Sequence, residues 1–319
     1  PKNPSIEDVL KGLVICRKFK PDVILAIGGG SAMDCAKAIL LFYEFPYLNF
    51  ENVLEFNKKG EIPTERKTGL ICVPSTSGTG SEVTRGTVIT DPEKELKVPI
   101  MTDCLRPDLA ILDPEITMTM PDHVAAETGM DALTHAIEAY TNHNLDDFDE
   151  GLCSSAIIGI MKWLPVSVLD KTLEAREKVH NYQAMAGIGF ANVGLGMVHG
   201  IAHSFGAAYN MAHGLTNAII LPYVLRYNSR DAVVREKLAE LSYRCHCDDI
   251  ITEIEKMREK LGIPASFREA GITEEMYREK YDLLLEHAML GATNVNPVKM
   301  TIEEMKKMLN VVYTGNWDR

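Results

Sequence analysis

Asp131 and His135 stand four residues apart in Gly129-Met130-Asp131-Ala132-Leu133-Thr134-His135. On a helix that spacing stacks the two side chains on one face, close enough to chelate a single ion. His199 and His203 repeat the spacing in His199-Gly200-Ile201-Ala202-His203, and His213 follows in Ala212-His213-Gly214. A carboxylate with three imidazoles is a hard-to-borderline donor set that suits Zn²⁺ or Fe²⁺ better than Ca²⁺, which takes oxygen ligands. Either pair alone also reads as ordinary: Asp131 and His135 share a polar stripe with Glu127, Thr134 and Glu138. The surroundings of the second pair favour a metal. Five glycines fall between Gly187 and Gly200, among the apolar Phe190, Val193, Leu195, Met197 and Val198, where a buried imidazole needs a partner. The zinc-protease pattern H-E-x-x-H is excluded, because Gly200 stands where its general base belongs. Cys245-His246-Cys247 lacks a second ligand pair and reads as ordinary core or surface residues.

Two further segments carry a different chemistry. The apolar run Val23 to Ile27 ends in Gly28-Gly29-Gly30-Ser31, and the helix formers Ala32 to Leu41 follow. Glycines after a strand let the backbone approach a ligand, and the free N–H groups of a helix start favour an anion. The turn is therefore a candidate pyrophosphate cradle, although a tight strand-to-helix turn needs glycines for structural reasons as well. Gly69 to Pro74 repeats the strand pattern, and Ser75 to Ser81 then supplies five hydroxyl side chains and two glycines. In an open α/β sheet ligands bind beyond the carboxyl ends of strands, so both loops are expected to face one crevice. Lys97 is a candidate contact to phosphate or ribose.

The elements that must position these residues fall into two parts. Unbroken apolar runs predict strands covered on both faces, as in a parallel sheet; Lys97 to Met101 and Leu109 to Leu112 are further strands. Strands alternating with helices predict a doubly wound α/β domain over residues 1–119. From 120 to 319 the periodicity is helical: Val124 to Tyr140, Leu152 to Leu164, Glu174 to Ala191, Val233 to Leu261, Glu274 to Leu290 and Ile302 to Leu309. That half is expected to be all-α, and the acidic stretch Asp146 to Glu150 reads as a solvated loop. In 319 residues, 45 acidic side chains against 33 basic ones give a net charge of −12. That sign makes nucleic acid and anionic membrane poor partners. No apolar run approaches the ~20 residues of a bilayer span. Seven cysteines at irregular spacings predict reduced thiols and a cytoplasmic setting.

Taken together, these segments resemble the iron-activated (group III) alcohol dehydrogenases, the family of lactaldehyde reductase, butanol dehydrogenase and 1,3-propanediol dehydrogenase. The matching text is Gly28-Gly29-Gly30-Ser31 with Asp34 and Lys37, Pro74 to Thr84, Gly129 to Glu138, and His199 to Pro222. The resemblance implies that Asp131, His135, His199 and His213 are the metal ligands and that His203 lies near nicotinamide and substrate without binding the metal. It implies that Gly29, Gly30 and Ser31 form the pyrophosphate turn, that Thr76, Ser77, Thr79 and Ser81 lie in a second cofactor loop, and that Lys97 touches the cofactor. It further implies Fe²⁺ (alternatively Zn²⁺), NAD or NADP, a small alcohol or aldehyde as substrate, and a homodimer. Family members begin with a strand, helix and strand that have no counterpart here, so the α/β domain is expected to be incomplete and the choice between NAD and NADP to lie outside it. Alternatives are a zinc-dependent polyol dehydrogenase of the glycerol dehydrogenase kind and a catalytically silent metal-binding relative.

Overall fold

The computed structural model of the chain describes residues 4–92 and 96–317. Helix α1 (Ile6–Phe19) opens with a reciprocal cap: the Ser5 hydroxyl accepts from the Asp8 backbone, and the Asp8 carboxylate accepts from the Ser5 backbone. Strand β1 (Val23–Gly28) leads into α2 (Gly30–Glu44), and after α3 (Val53–Lys59) strand β2 (Gly69–Pro74) lies parallel to β1 with Val23 opposite Gly69 and Gly28 opposite Pro74. This register places the two glycine-bearing turns side by side at the carboxyl ends of adjoining strands.

Strands β3 (Gly86–Asp91) and β4 (Leu96–Met101) form an antiparallel pair, and β5 (Leu109–Ala110) completes a parallel sheet in the order β1-β2-β5. The expected strand–helix alternation thus fails at β3 and β4. The connection between them is too short for a parallel crossover, which needs a dozen or more residues. The expected cover on both faces of β1 fails as well. Ala26 is buried with Met33, Leu40 and Leu70, but Val23, Leu25 and Ile27 are 51%, 55% and 59% exposed. Alternation along a strand sends these three side chains to the face away from α2, and no element covers that face among the described residues.

The hairpin is fastened to α2 from the inside. Lys37 is fully buried, and its Nζ donates to the backbone carbonyls of Ser81 (2.5 Å), Thr84 (2.9 Å) and Gly86 (2.9 Å). Asp34, one turn earlier, accepts from the Ser81 hydroxyl (2.7 Å) and from Val88 N (2.8 Å). A buried cation and carboxylate persist only when hydrogen-bonded in this way.

From α4 (Pro114–Thr117) onward the chain is helical: α5 (Asp122–Thr141), α6 (Asp147–Leu169), α7 (Leu173–Val193), α8 (Met197–Tyr209), α9 (His213–Asn228), α10 (Ala232–Arg244), α11 (Ile250–Lys260), α12 (Glu274–Glu279), α13 (Tyr281–Ala288) and α14 (Ile302–Thr314). One apolar core runs through them, including Met130, Ile137, Ile160, Val198, Phe205 and Leu221. The Phe205 and Phe267 rings stack in it at 3.8 Å. Three expectations need correction. The periodicity over Val233 to Leu261 is two helices, because His246 turns left-handed (φ 56°) and Asp249 caps α11 by accepting from Thr252 N; Glu274 to Leu290 likewise breaks at Lys280. Asp146 to Glu150 is no loop. Asp146 caps α6, and the acidic residues after it occupy the first turn, where the helix dipole favours negative charge. Finally, α6 is long and apolar enough to cross a membrane, contrary to the reading of the bare sequence. It lies instead against α5 and α7 with its buried side chains, Cys153, Ala156, Ile157 and Ile160 among them, in the core.

Candidate metal centre and cofactor crevice

Three helices deliver the donors. Helix α5 carries Asp131 and His135 one turn apart, both buried. A tight turn at Gly194 (φ 103°) sends the chain from α7 into α8, which carries His199 and His203. His213 is the first residue of α9. Asp131 Oδ1 lies 3.9 Å from His135 Nε2, 3.9 Å from His199 Nε2 and 3.8 Å from His213 Nε2. One donor atom from each of the four residues falls within 4.8 Å of every other, and no second such group occurs among the described residues. A tetrahedral ion at about 2.1 Å from each donor needs donors about 3.4 Å apart, so the three distances to Asp131 need to close by about 0.5 Å and the widest spacing in the cluster by up to about 1.4 Å.

Two of the three outer nitrogens, those of His199 and His135, are held so that the inner ones face the centre, whereas His213 Nδ1 has no hydrogen-bond partner among the described residues. His199 Nδ1 is 2.6 Å from Glu138 Oε2, and Glu138 Oε1 accepts from Val198 N at 2.7 Å. His135 Nδ1 is 3.2 Å from the Gly78 carbonyl. A partner on the far nitrogen fixes the tautomer and turns the lone pair of the near one inward. Burial holds His199, His203 and His213 well below the ordinary imidazole range, with neighbouring positive charge adding to it. They are therefore neutral, the form that ligates. Burial also pushes the Glu138 carboxyl up to about 7. His203 stands outside the donor set. Its ring stacks on that of His213 at 5.1 Å and lies 6.0 Å from that of His199.

The two glycine turns meet as expected. A side chain on Gly29 would come to 3.2 Å from Thr76, and one on Gly30 to 2.5 Å from Thr79, so each glycine lies against a threonine of the second loop. Gly28 has φ +151°, and a Cβ there would lie 2.7 Å from that of Ala32. Helix α2 begins at Gly30, with Gly29 as its N-cap, no side-chain cap and no acidic residue in its first turn, and the dipole of such an N-terminus favours an anion. Ser77 and Ser81 behave differently from the other members of the loop. Ser77 Oγ is 2.8 Å from His180 Nδ1 on α7, and the Ser81 hydroxyl is spent on Asp34; both are buried and shape the loop from within. Lys97 reaches between the crevice and the donors. Burial depresses its ammonium, and the Asp131 and Asp34 carboxylates oppose that shift.

The second loop is locked to the helical part. Gly80 N donates to Gln183 Oε1 (3.0 Å), and Gln183 Nε2 donates to Glu82 Oε1 (2.5 Å). A Cβ on Gly80 (φ +61°) would lie 2.7 Å from the Gly187 Cα, and one on Gly78 would lie 2.5 Å from the Thr128 carbonyl. The second loop and the donor helices thus share one seam, crossed by the His135–Gly78 hydrogen bond.

Reading the residues alone missed Glu138, Gln183 and His180. Glu138 follows His135 by three residues on the same helix face, which is a legible signal. Gln183 and His180 carry none, because their partners lie about a hundred positions upstream.

Two glycine turns at adjoining strand ends, joined through one seam to a buried carboxylate–imidazole cluster, define a metal-dependent, nucleotide-binding enzyme. The chain belongs to the iron-containing alcohol dehydrogenase family. The family's own model, iron-containing alcohol dehydrogenase, matches residues 1–114, and that of the C-terminal part of the Fe-containing alcohol dehydrogenase family matches 125–313. The NADPH-dependent butanol dehydrogenase of Clostridium saccharobutylicum is 39% identical over 98% of this chain and 82% of its own length. The 1-propanol dehydrogenase of Citrobacter freundii is 33% identical over 96% of this chain and 82% of its own. The structure of an iron-containing alcohol dehydrogenase from Thermococcus thioreducens superposes with a TM-score of 0.90 at 35% identity, covering 99% of this chain and 84% of that one. The chain is accordingly an NAD(P)-dependent alcohol dehydrogenase and aldehyde reductase that uses a metal, and these matches favour iron over the zinc-dependent polyol alternative.

Proposed function

We propose that this enzyme transfers hydride between NAD(P) and a small primary alcohol or its aldehyde at a ferrous ion held by Asp131, His135, His199 and His213. The observation that carries the reading is the convergence of four donors, three buried and His213 half-buried, beside the second glycine loop, with His135 bonded to that loop at Gly78. When bound, the ion supplies Lewis acidity to the substrate oxygen, the effect that lowers the pKa of a bound water from 15.7 to about 7. The cofactor carries the hydride, and the protein positions it.

Gly29, Gly30 and Ser31 hold the pyrophosphate at the N-terminus of α2, with Thr76 and Thr79 closing the other wall. Ser77 and Ser81 contribute by holding the loop in shape, and Lys97 reaches the cofactor from the side of the donors. His203, one helical turn from His199, moves the proton of the substrate hydroxyl or orients the substrate against the nicotinamide. Residues 1–119 form the nucleotide-binding part and 120–319 the metal-binding part. The names of the propanol and butanol dehydrogenases support a short unbranched substrate. A cytoplasmic homodimer agrees with the scattered free thiols and with the family.

The test is metal content by mass spectrometry after anaerobic purification with ferrous ion, for the chain and for His199→Ala, paired with oxidation of NADH and NADPH by butanal. About one ion per chain, lost in the variant, with turnover by the chain alone, is the expected result. Metal without turnover on either cofactor would sink the hydride-transfer reading.

A further inference from the structure

The donor cluster contains one polar group that the proposed chemistry leaves unused. Asn217 is fully buried one turn after His213 on α9. Its Nδ2 lies 2.6 Å from Asp131 Oδ1, 3.1 Å from His199 Nε2 and 3.2 Å from His213 Nε2. These are the donor atoms of three of the four residues that converge on the centre, whereas Asn217 Oδ1 has no hydrogen-bond partner among the described residues. The orientation follows from the chemistry of the neighbours. The Asp131 oxygen can only accept. His199 has its Nδ1 against the Glu138 carboxylate, so its Nε2 presents a lone pair. An amide oxygen turned inward would face the lone pairs of Asp131 and His199, while an N–H₂ group offers hydrogens to them.

We propose that Asn217 is a built-in placeholder for the ion: its amide N–H₂ occupies the shared focus of Asp131, His199 and His213 in the metal-free chain and must be displaced when the ion binds. The inference rests on the reading of the cluster as a metal centre. A lone pair that ligates cannot at the same time accept a hydrogen bond, and an imidazole nitrogen has only one, so amide and ion compete at the imidazole nitrogens, while the Asp131 oxygen has a second lone pair. The amide is neutral and the ion is not, so the ion wins, but against an opponent. Asn217 thus keeps three donors gathered before loading, and the metal-free centre neither collapses nor splays under the repulsion of converging lone pairs. It is a positioning residue and touches no substrate.

Competition gives a sign that packing or simple orientation does not. The experiment uses chelator-stripped full chain, Asn217→Leu, which keeps the volume without the donors, and Asn217→Ala as a second variant should the first fold poorly. Two quantities are read: the thermal midpoint without metal, and the affinity for Co²⁺ by competition with a chromogenic chelator. The expected outcome is a lower metal-free midpoint in both variants together with tighter Co²⁺ binding. The gain is about tenfold for Asn217→Leu, the worth of one hydrogen bond to a charged group. It is smaller for Asn217→Ala, where water enters the vacated space and takes over part of the amide's role. Unchanged Co²⁺ affinity in both variants would reduce Asn217 to packing, and weaker affinity would make it a helper of the bound state; either overturns the proposal. A wild-type chain that binds no Co²⁺ would instead overturn the metal centre itself.

Discussion

His203 and Glu138 lie within one helical turn of histidines proposed to hold the metal, yet they are bound to different fates. His203 stacks on His213 from outside the donor set. His203→Ala is therefore expected to cut turnover by about 10²–10⁴, the usual worth of a positioned proton-transfer group, while metal content stays unchanged; loss of metal from that variant would move His203 into the donor set. Glu138 touches no substrate and acts through His199, whose Nδ1 it holds at 2.6 Å. Glu138→Gln keeps the shape and removes the carboxyl acceptor that orients His199 Nδ1, so metal affinity should fall about 10–100-fold. Equal affinities of wild type and variant would show that the hydrogen bond only packs the helix. At this scale the sequence was generous. The i, i+4 spacing exposed Asp131 and His135, and the glycine-rich apolar setting marked His199. Yet spacing alone could not separate His203 from His199, since both sit on one face of α8, and only the direction of three helices decides which imidazole reaches the centre.

At the scale of elements, glycine contacts govern the seam. The approach of Gly80 to Gly187 is a contact between a loop and a helix more than a hundred residues apart, and neither position has side-chain chemistry to announce it. Gly80→Ala combines a left-handed φ with a Cβ 2.7 Å from the facing Cα. It should cost roughly 1–3 kcal/mol, as overpacking does, and weaken cofactor binding; urea denaturation and a cofactor titration check the two halves, and a variant as stable as wild type would mean that the seam yields freely. The same scale shows why β3 and β4 were misjudged. Apolar content marked Lys97 to Met101 as a strand, but strand direction depends on the length of the connection, a property of residues that carry no pattern. The broken helices at Cys245 and Lys280 have a similar origin. Periodicity survives a short interruption, whereas a left-handed His246 and an Asp249 cap leave only small marks.

For the whole molecule, stability against acid should depend on the junction between the two parts. Burial drives His180, which meets Ser77 of the cofactor loop, down to about 4 from an ordinary 6.5. Between those values the unfolded chain binds a proton that the folded chain refuses, so this contribution is complete above pH 6.5 and is lost as the pH falls toward 4. Its full size is roughly 3 kcal/mol. Urea midpoints measured at pH 7 and pH 4.5 should therefore differ more for wild type than for His180→Gln; parallel losses in the two proteins would remove His180 from the account. The two-part architecture itself was legible from composition, because glycine turns and apolar runs give way to helical periodicity near Met118. The open face of β1 was not, since an apolar run reads the same whether or not anything lies against it.

Lys37 holds the second loop through the backbone oxygens of Ser81, Thr84 and Gly86. Such an anchor recognises the path of the chain and is blind to what the chain displays. Loop residues other than Ser77, Gly78, Gly80 and Ser81 can be exchanged without loosening this anchor, so that part of the surface is free to vary while the scaffold beneath keeps its shape. Tolerance to change is thereby written into one buried ammonium, and the residues of this loop open to alteration are those whose side chains carry no part of the framework.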